Sequence, residues 1–329
     1  MVRFYLAGTA QSSSTDRPRR FHAPVEGNCQ NLLAAIDSCI NSHGFCPSSK
    51  VTTSPLRLLN VMDGDTIKLE RTNGEEHIYA ALSYCWGGTE SIEATKTTKA
   101  NLDERTSGFF LHHLPPTLRD AVAVTRSFGV RYLWIDALCI VQNCRKEWAA
   151  EAQKMMRYYS NALFTIVPVH SESADSGMRL GQDVPFARRL PGSWSVDSGA
   201  DLVLSATQKG THRPDTIIDD SAWNKRGWTY QEKLNSARIL FLFNHHLRLE
   251  CREGSWDALS GWEARSPDSW RFIPMASPGS QAKTAPNARE DLRWRDNDSS
   301  WASLVDLYTQ RQLTNRGDKW FAFSGISDA

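Results

Sequence analysis

Apolar residues in this chain gather into runs of strand length, joined by stretches that repeat at helical spacing. Tyr79-Ala-Ala-Leu-Ser-Tyr-Cys-Trp-Gly87 and Tyr132-Leu-Trp-Ile-Asp-Ala-Leu-Cys-Ile140 each read as an apolar strand carrying very few polar side chains. Between them Leu114-Pro115-Pro116 breaks the chain, and Thr117-Leu-Arg-Asp120 has the spacing of a capping box. Leu118, Ala121, Val122, Thr125 and Phe128 then recur at helical spacing, and Gly129 supplies a helix-ending residue. Strand, helix and strand in that order predict a parallel pair with a right-handed crossover. A second helix over 145–161 and a third apolar strand, Ala162-Leu-Phe-Thr-Ile-Val-Pro168, extend the pattern to β-α-β-α-β. The expected fold class is α/β: a parallel sheet flanked by helices, with ligand chemistry outside the strand ends.

Further along, Ala237-Arg-Ile-Leu-Phe-Leu-Phe243 and Leu247-Arg-Leu-Glu-Cys251 flank Asn244-His245-His246, which predicts a β-hairpin. A helix over 299–312 places Trp301, Leu304, Val305 and Tyr308 on one face. Residues 9–20, rich in Ser, Thr and Arg, read as a flexible leader, and the polar stretches 170–200 and 264–298 as long loops or insertions.

At 329 residues the chain can bury a large core. Its net charge of +1 argues against a dedicated nucleic-acid binder, which carries a basic excess. No apolar run approaches the ~20 residues that cross a bilayer, and the opening apolar segment is too short for a signal peptide. The odd count of seven cysteines at irregular spacing fits a reduced, cytoplasmic setting.

Five groups of residues carry candidate chemistry. Asp136 stands alone among Leu, Trp, Ile and Ala, so it needs a defined partner or a place at a strand end facing a cleft. It is expected to orient rather than catalyse, hydrogen-bonded to Ser83, Tyr84 or a backbone amide. On the 145–161 helix Trp148, Ala152, Met155 and Tyr159 form an apolar stripe, and Glu151 lies about 60° from Trp148 at its edge. Glu151 there either reaches into a cleft or pairs with Arg145 or Lys154 as a boundary residue. Arg226-Gly-Trp-Thr-Tyr-Gln-Glu232 gathers a guanidinium, two aromatic rings, an amide and a carboxylate. That set either binds a nucleotide's diphosphate, ring and ribose or starts a helix packed through Trp228. Ser83, Trp86 and Gly87 follow the first strand and either line the same cleft or form a tight turn. Finally Cys39, His43 and Cys46, with Cys29 upstream, offer four soft ligands, but their spacing fits no common zinc pattern. They read as a small helical cap with buried thiols, so no metal is expected. Cys139 lies in a core strand without an evident base, which disfavours a cysteine hydrolase.

The order of these motifs resembles the fungal heterokaryon-incompatibility (HET) domain. Tyr79-x-Ala-Leu-Ser-Tyr-Cys-Trp-Gly87, Leu114-Pro-x-Thr-x-x-Asp-Ala121 and Tyr132-Leu-Trp-Ile-Asp-Ala-Leu-Cys-Ile-x-Gln142 carry the likeness. So do Trp148-x-x-Glu151…Met155…Tyr159-x-x-Ala162, Arg226-x-Trp-x-x-Gln-Glu232 and the stretch from Tyr308 to Ile326. HET domains are distantly similar to Toll/interleukin-1 receptor (TIR) domains, and Ala81-Leu-Ser-Tyr84 resembles the TIR first-strand signature. The resemblance implies a TIR- and flavodoxin-like sheet with an added hairpin and helices. It also implies a leader and small helical segment over 1–54 and a HET domain over 55–329, with a TIR-like core at about 76–170 and an extension beyond. More sequence is expected past the helix-like segment at residue 329.

Enzymatic TIR domains cleave NAD⁺ at the nicotinamide bond through a glutamate shortly after a Trp on one helix. Trp148 and Glu151 fall in a comparable place, one residue closer together than the usual TIR spacing. By resemblance, then, Glu151 is the candidate catalytic residue, with Ser83, Tyr84, Trp86, Gly87, Asp136, Arg226, Trp228, Gln231 and Glu232 as substrate contacts. NAD⁺ or a related nucleotide is the expected substrate, with no cofactor besides. Without a Gly-x-Gly-x-x-Gly motif it would not be held in the Rossmann manner. The competing expectation is a non-catalytic signalling module acting by self-association or through an incompatibility partner protein.

Overall fold

Four parallel strands form the centre of the computed structural model, which describes residues 24–47, 54–178, 214–244, 247–257, 261–264, 305–313 and 316–327. The strands are β1 (Arg57–Asn60), β2 (Thr66–Arg71), β3 (Tyr79–Leu82), β4 (Phe109–Phe110), β5 (Tyr132–Trp134), β6 (Phe164–Pro168), β7 (Arg238–Leu242), β8 (Leu247–Cys251), β9 (Gly254–Asp257) and β10 (Gly261–Ala264). They make a sheet ordered β10-β9-β8-β7-β6-β3-β5-β1-β2-β4. β5, β3, β6 and β7 run parallel, with Ala80 opposite both Leu133 and Phe164. The remaining strands extend both edges in antiparallel fashion.

The helices described in full are α1 (Pro24–Ser42), α2 (Glu90–Thr95), α3 (Leu102–Ser107), α4 (Pro116–Ser127), α5 (Asp136–Cys139), α6 (Arg145–Ala152), α7 (Met155–Asn161), α8 (Pro214–Asp220), α9 (Gly227–Asn235) and α10 (Lys319–Ser327). α4 joins β3 to β5 on one side, and α6 with α7 then carries the chain back to β6 on the other side of β3. The strand order therefore reverses at β3, and in open α/β sheets it is outside the carboxyl ends at such a point that ligands bind.

Both faces of the parallel centre are covered, which is why its strands read as continuous apolar runs. All five residues of β7 are buried. Leu240 and Leu242 join the main core, while Ile239 and Phe241 join a second cluster with Trp223, Ile218 and Val167. The main core also takes in Cys29, Leu32 and Ile36 of α1, so the helix in the first 54 residues packs into the same interior as the sheet. Its neighbour at the edge of the sheet is β8.

The expected α/β class, the parallel β3-β5 and β3-β6 pairs, the α4 crossover and the β7-β8 hairpin are all present. Four local expectations need correction. The apolar run at 132–140 is a three-residue strand followed by a one-turn helix, because the chain turns at Asp136 as it leaves the sheet. Cys139 therefore lies in α5 rather than in a strand. The capping box at Thr117 and Asp120 does not form, because α4 starts at Pro116 and Pro115 caps it without a side-chain bond. Thr117 donates to the Ser173 carbonyl instead, and Asp120 accepts from the Met178 amide. Lastly, the 145–161 helix is broken at Gln153 and Lys154. The break lets Trp148 meet Trp228 and Phe321 while Tyr158 and Tyr159 both pack on Trp134. Gly129 does end α4, at a φ of 67°. The β1-β2 and β9-β10 pairs were not anticipated from the pattern.

The leader, most of both polar stretches, His245, His246 and the first part of the 299–312 helix lie outside the described residues; 305–309 are helical.

Leu133 is wholly buried on β5, between β3 and β1, whereas Leu307 is 49% exposed. Leu133→Ala should cost about 2–5 kcal/mol through lost transfer and cavity terms. Leu307→Ala should stay within about 0.5 kcal/mol. Urea unfolding of both variants checks this; equal losses would show that the interior lies elsewhere.

Candidate functional site

Where β3 ends, the chain leaves the sheet through Ser83, Tyr84, Cys85 and Trp86 and turns at Gly87 and Gly88, with φ of 83° and 63°. Gly87 is required twice over: by its left-handed backbone, and because a Cβ there would lie 2.3 Å from that of Ser173. Where β5 ends, Asp136 opens α5. α9 lies against α7 and carries the third set of groups. Its position is secured by the tail: Gly227 donates to the Gln312 carbonyl at 2.7 Å, and Tyr230 packs with Tyr308 and Ala322.

Ser83 is the junction. Its hydroxyl accepts from the Trp223 indole at 2.6 Å and donates to the Glu232 carboxylate. Tyr159 hydrogen-bonds the same carboxylate and also donates to the Leu82 carbonyl at 3.3 Å. Arg226, the residue that caps α9, donates to the Tyr84 carbonyl. Asp136 accepts from the Trp86 indole at 3.1 Å and from the Ala137 amide at 2.7 Å. Above Trp86 sits the Lys96 ammonium, 4.8 Å from the ring centre.

Burial pushes the Glu232 carboxyl up to about 7, with Arg226 and Ser83 opposing and the Asp136 charge adding to the rise. Burial likewise pushes Asp136 up to about 6 against the Ala137 amide, Arg226, Trp86 and Lys96. Desolvation also holds the Tyr84 phenol well above its ordinary value. The Tyr84 hydroxyl and the Gln231 side-chain oxygen are buried without a hydrogen-bond partner among the described residues. Ser83, Tyr84, Gln231 and Glu232 thus form a buried floor, while Trp86, Asp136, Arg226 and Trp228 stay partly exposed and Gly87 exposed. Two acids of near-neutral pKa, one guanidinium and unpaired polar atoms at a strand-order reversal make a candidate site for a polar ligand.

Most of the residues singled out from the sequence meet here: Ser83, Tyr84, Trp86, Asp136, Arg226 and Glu232. Asp136 is held by an amide as expected, but Ser83 serves Glu232 instead. Glu151 does not share their contacts. It is buried, accepting from the Tyr158 hydroxyl at 2.8 Å and pairing with Lys154 at 3.0 Å, because α6 ends one residue later and folds Lys154 back onto it. Trp148 does reach α9, edge-on to Trp228 at 6.3 Å. Trp223 and Lys96 were missed, and Tyr159 was read only as part of the apolar stripe and the motif around it; for Trp223 the one signal was its place one turn before Arg226. Among the soft ligands, Cys29 stands apart, its thiol donating to the Ser127 hydroxyl at 3.6 Å. None of the described helices is long and apolar enough to cross a membrane.

Residues 79–232 match the family model of the heterokaryon incompatibility protein (HET). The match opens at the first residue of β3 and closes at Glu232, so it spans the whole cluster around Ser83. Neither a curated protein nor a solved structure matches the chain.

Glu232 holds its proton more tightly in the folded chain than in the unfolded one. The folded state therefore binds more protons between the ordinary value of 4.5 and about 7, and stability falls as pH rises through that window. Glu232→Gln removes this titration. The stability of the native chain relative to the variant should drop by a few kcal/mol from pH 5 to pH 8. Urea titrations across that range read the difference, and a constant gap would refute it.

Proposed function

We propose that this chain, which carries a heterokaryon-incompatibility (HET) domain at 79–232, is a cell-death effector of incompatibility that hydrolyses NAD⁺ or a related nucleotide at the nicotinamide–ribose bond. The observation that carries this reading is the Glu232 carboxylate, raised to about 7 and set beside Arg226 and Asp136 at the strand-order reversal. The spacing that Trp148 and Glu151 miss by one residue is met by Trp228 and Glu232, both on α9. That helix follows the third parallel strand, and its glutamate faces the loop after the first. The catalytic role therefore passes from Glu151 to Glu232.

The chemistry asks for little more than this. Cleaving the ribose–nicotinamide bond develops positive charge on the ribose, as glycoside cleavage does. A carboxylate about 4 Å away contributes roughly 4 kcal/mol at an effective dielectric near 20, on the order of 10³ in rate if made mainly in the transition state. Nicotinamide departs neutral, so no second acid is needed to protonate it. A cationic nicotinamide ring favours the ionised form of Glu232. Asp136, held by Trp86 and Ala137, accepts from ribose hydroxyls in this reading. Arg226 supplies charge for phosphate, and the unpaired Tyr84 and Gln231 atoms gain partners from a ligand.

Incubating the purified chain with NAD⁺ or NADP⁺ and measuring free nicotinamide tests the reading. Glu232→Gln should lower turnover by on the order of 10³, while Glu151→Gln keeps most of it if the variant folds. The native rate should climb as pH rises toward 7 and Glu232 ionises. Loss of turnover in the Glu151 variant alone would return the role to Glu151. No nicotinamide from the native chain, together with undiminished killing by Glu232→Gln, would leave the self-association reading in its place.

A further inference from the structure

The end of α1 and the end of β8 bring three thiols and an imidazole to one point. Cys39 lies in the last turn of α1, His43 just beyond it, Cys46 in the following bend, and Cys251 is the final residue of β8. One ligand atom from each lies within 4.8 Å of all the others. His43 Nδ1 stands 3.6 Å from Cys46 Sγ and 3.4 Å from Cys251 Sγ. A tetrahedral zinc ion, with bonds of about 2.3 Å to sulfur and about 2.05 Å to nitrogen, sets nitrogen–sulfur edges of about 3.6 Å and sulfur–sulfur edges of about 3.8 Å. Both His43–cysteine distances match the nitrogen–sulfur edge, and every remaining pair lies within 4.8 Å, close enough for an ion to draw in.

Its surroundings fit the same ion. The three cysteines are buried and form a small group of their own, apart from the main core. Three thiolates and a divalent ion leave one net negative charge, which would be costly to bury alone. Arg238, itself 2% exposed, points its Nε at Cys39 Sγ from 3.2 Å and offsets that charge. The bend that carries His43 and Cys46 is held by other bonds as well. Arg238 donates to the Pro47 carbonyl at 2.7 Å, Glu253 accepts from the Phe45 amide at 2.7 Å, and Arg252 donates to the Phe45 carbonyl at 3.3 Å. Such outer contacts orient first-layer ligands in zinc sites.

We propose that Cys39, His43, Cys46 and Cys251 bind one zinc ion that fastens α1 to the antiparallel edge of the sheet. Four protein ligands close the coordination sphere, so the ion is structural rather than catalytic. Both fastened elements lie outside residues 79–232, so the site secures what flanks the matched segment. The set differs from the one read from the sequence by a single member: Cys251 replaces Cys29. No ligand is close enough in sequence to Cys251 to reveal it.

Elemental analysis of the purified full-length chain should find about one zinc per chain, released when a mercurial caps the thiols and seen with a colorimetric chelator. Cobalt(II) exchanged into the native protein should show tetrahedral ligand-field bands and thiolate-to-metal charge transfer. Cys251→Ser and Cys46→Ser should lose the stoichiometric ion, while Cys29→Ser and Cys144→Ser retain it. Should the serine variants fail to fold, the native cobalt spectrum decides alone, an octahedral spectrum counting against the site. A folded native chain without bound metal, a disulfide among Cys39, Cys46 and Cys251 in the mass spectrum, or full zinc retention in Cys251→Ser would each overturn the proposal.

Discussion

Glu232 enters the interior from a helix that reaches the sheet only after three of the four parallel strands are laid down, and it ends against Ser83, the first residue beyond the first of them. A carboxylate in that place is tolerable only if its oxygens are bonded and a cation lies near. Ser83 and Tyr159 supply the bonds, Trp223 saturates Ser83 in turn, and Arg226 brings the charge while tying itself to the Tyr84 carbonyl. One buried acid thereby joins β3, α7, the turn before α9 and α9 itself. The same desolvation that makes the arrangement demanding raises its proton affinity to near neutrality, where a carboxyl group can change state at physiological pH.

Around that junction the sheet has two kinds of strand. The parallel centre is covered on both faces and supplies rigidity. The antiparallel edges carry the parts beyond the matched segment: β1 and β2 on one side, β8 to β10 on the other, with α1 laid over β8. α9 is braced from outside by the tail through Gln312, Tyr308 and α10, so the helix bearing Glu232 depends on residues far beyond the family match.

The central topology was legible because its causes are local. Apolar runs of strand length and a helix bounded by Pro116 and Gly129 require a parallel crossover whatever the distant partners are. Boundaries were less legible. Ile135 and Asp136 interrupt an apolar run that reads as one strand, and a helix without Pro or Gly breaks at Lys154 because its two halves pack on different aromatic partners. β2 does alternate, with Ile67 and Leu69 buried between polar neighbours, but its wholly buried partner β1 and the four-residue β9 and β10 do not, so these pairs were not read.

Most of the site was legible as a set of residue types. The sequence by itself determined that Ser83 would leave a strand and that Asp136 needed a partner or a strand end, because polar groups in apolar runs have nowhere else to go, and it gathered Arg226 and Glu232 at one helix start. It could not determine which carboxylate faces which partner. Glu151 and Glu232 each follow a tryptophan on a helix, and only the packing of α9 over Ser83 and the fold-back of Lys154 distinguish them. Likewise Cys39, His43 and Cys46 were visible as neighbours, whereas Cys251 joined them only through the docking of α1 on β8. Hydrophobic periodicity acts over a few residues and can be read along a chain. Pairing of buried polar groups is a matter of distance in space, and only the folded structure settles it.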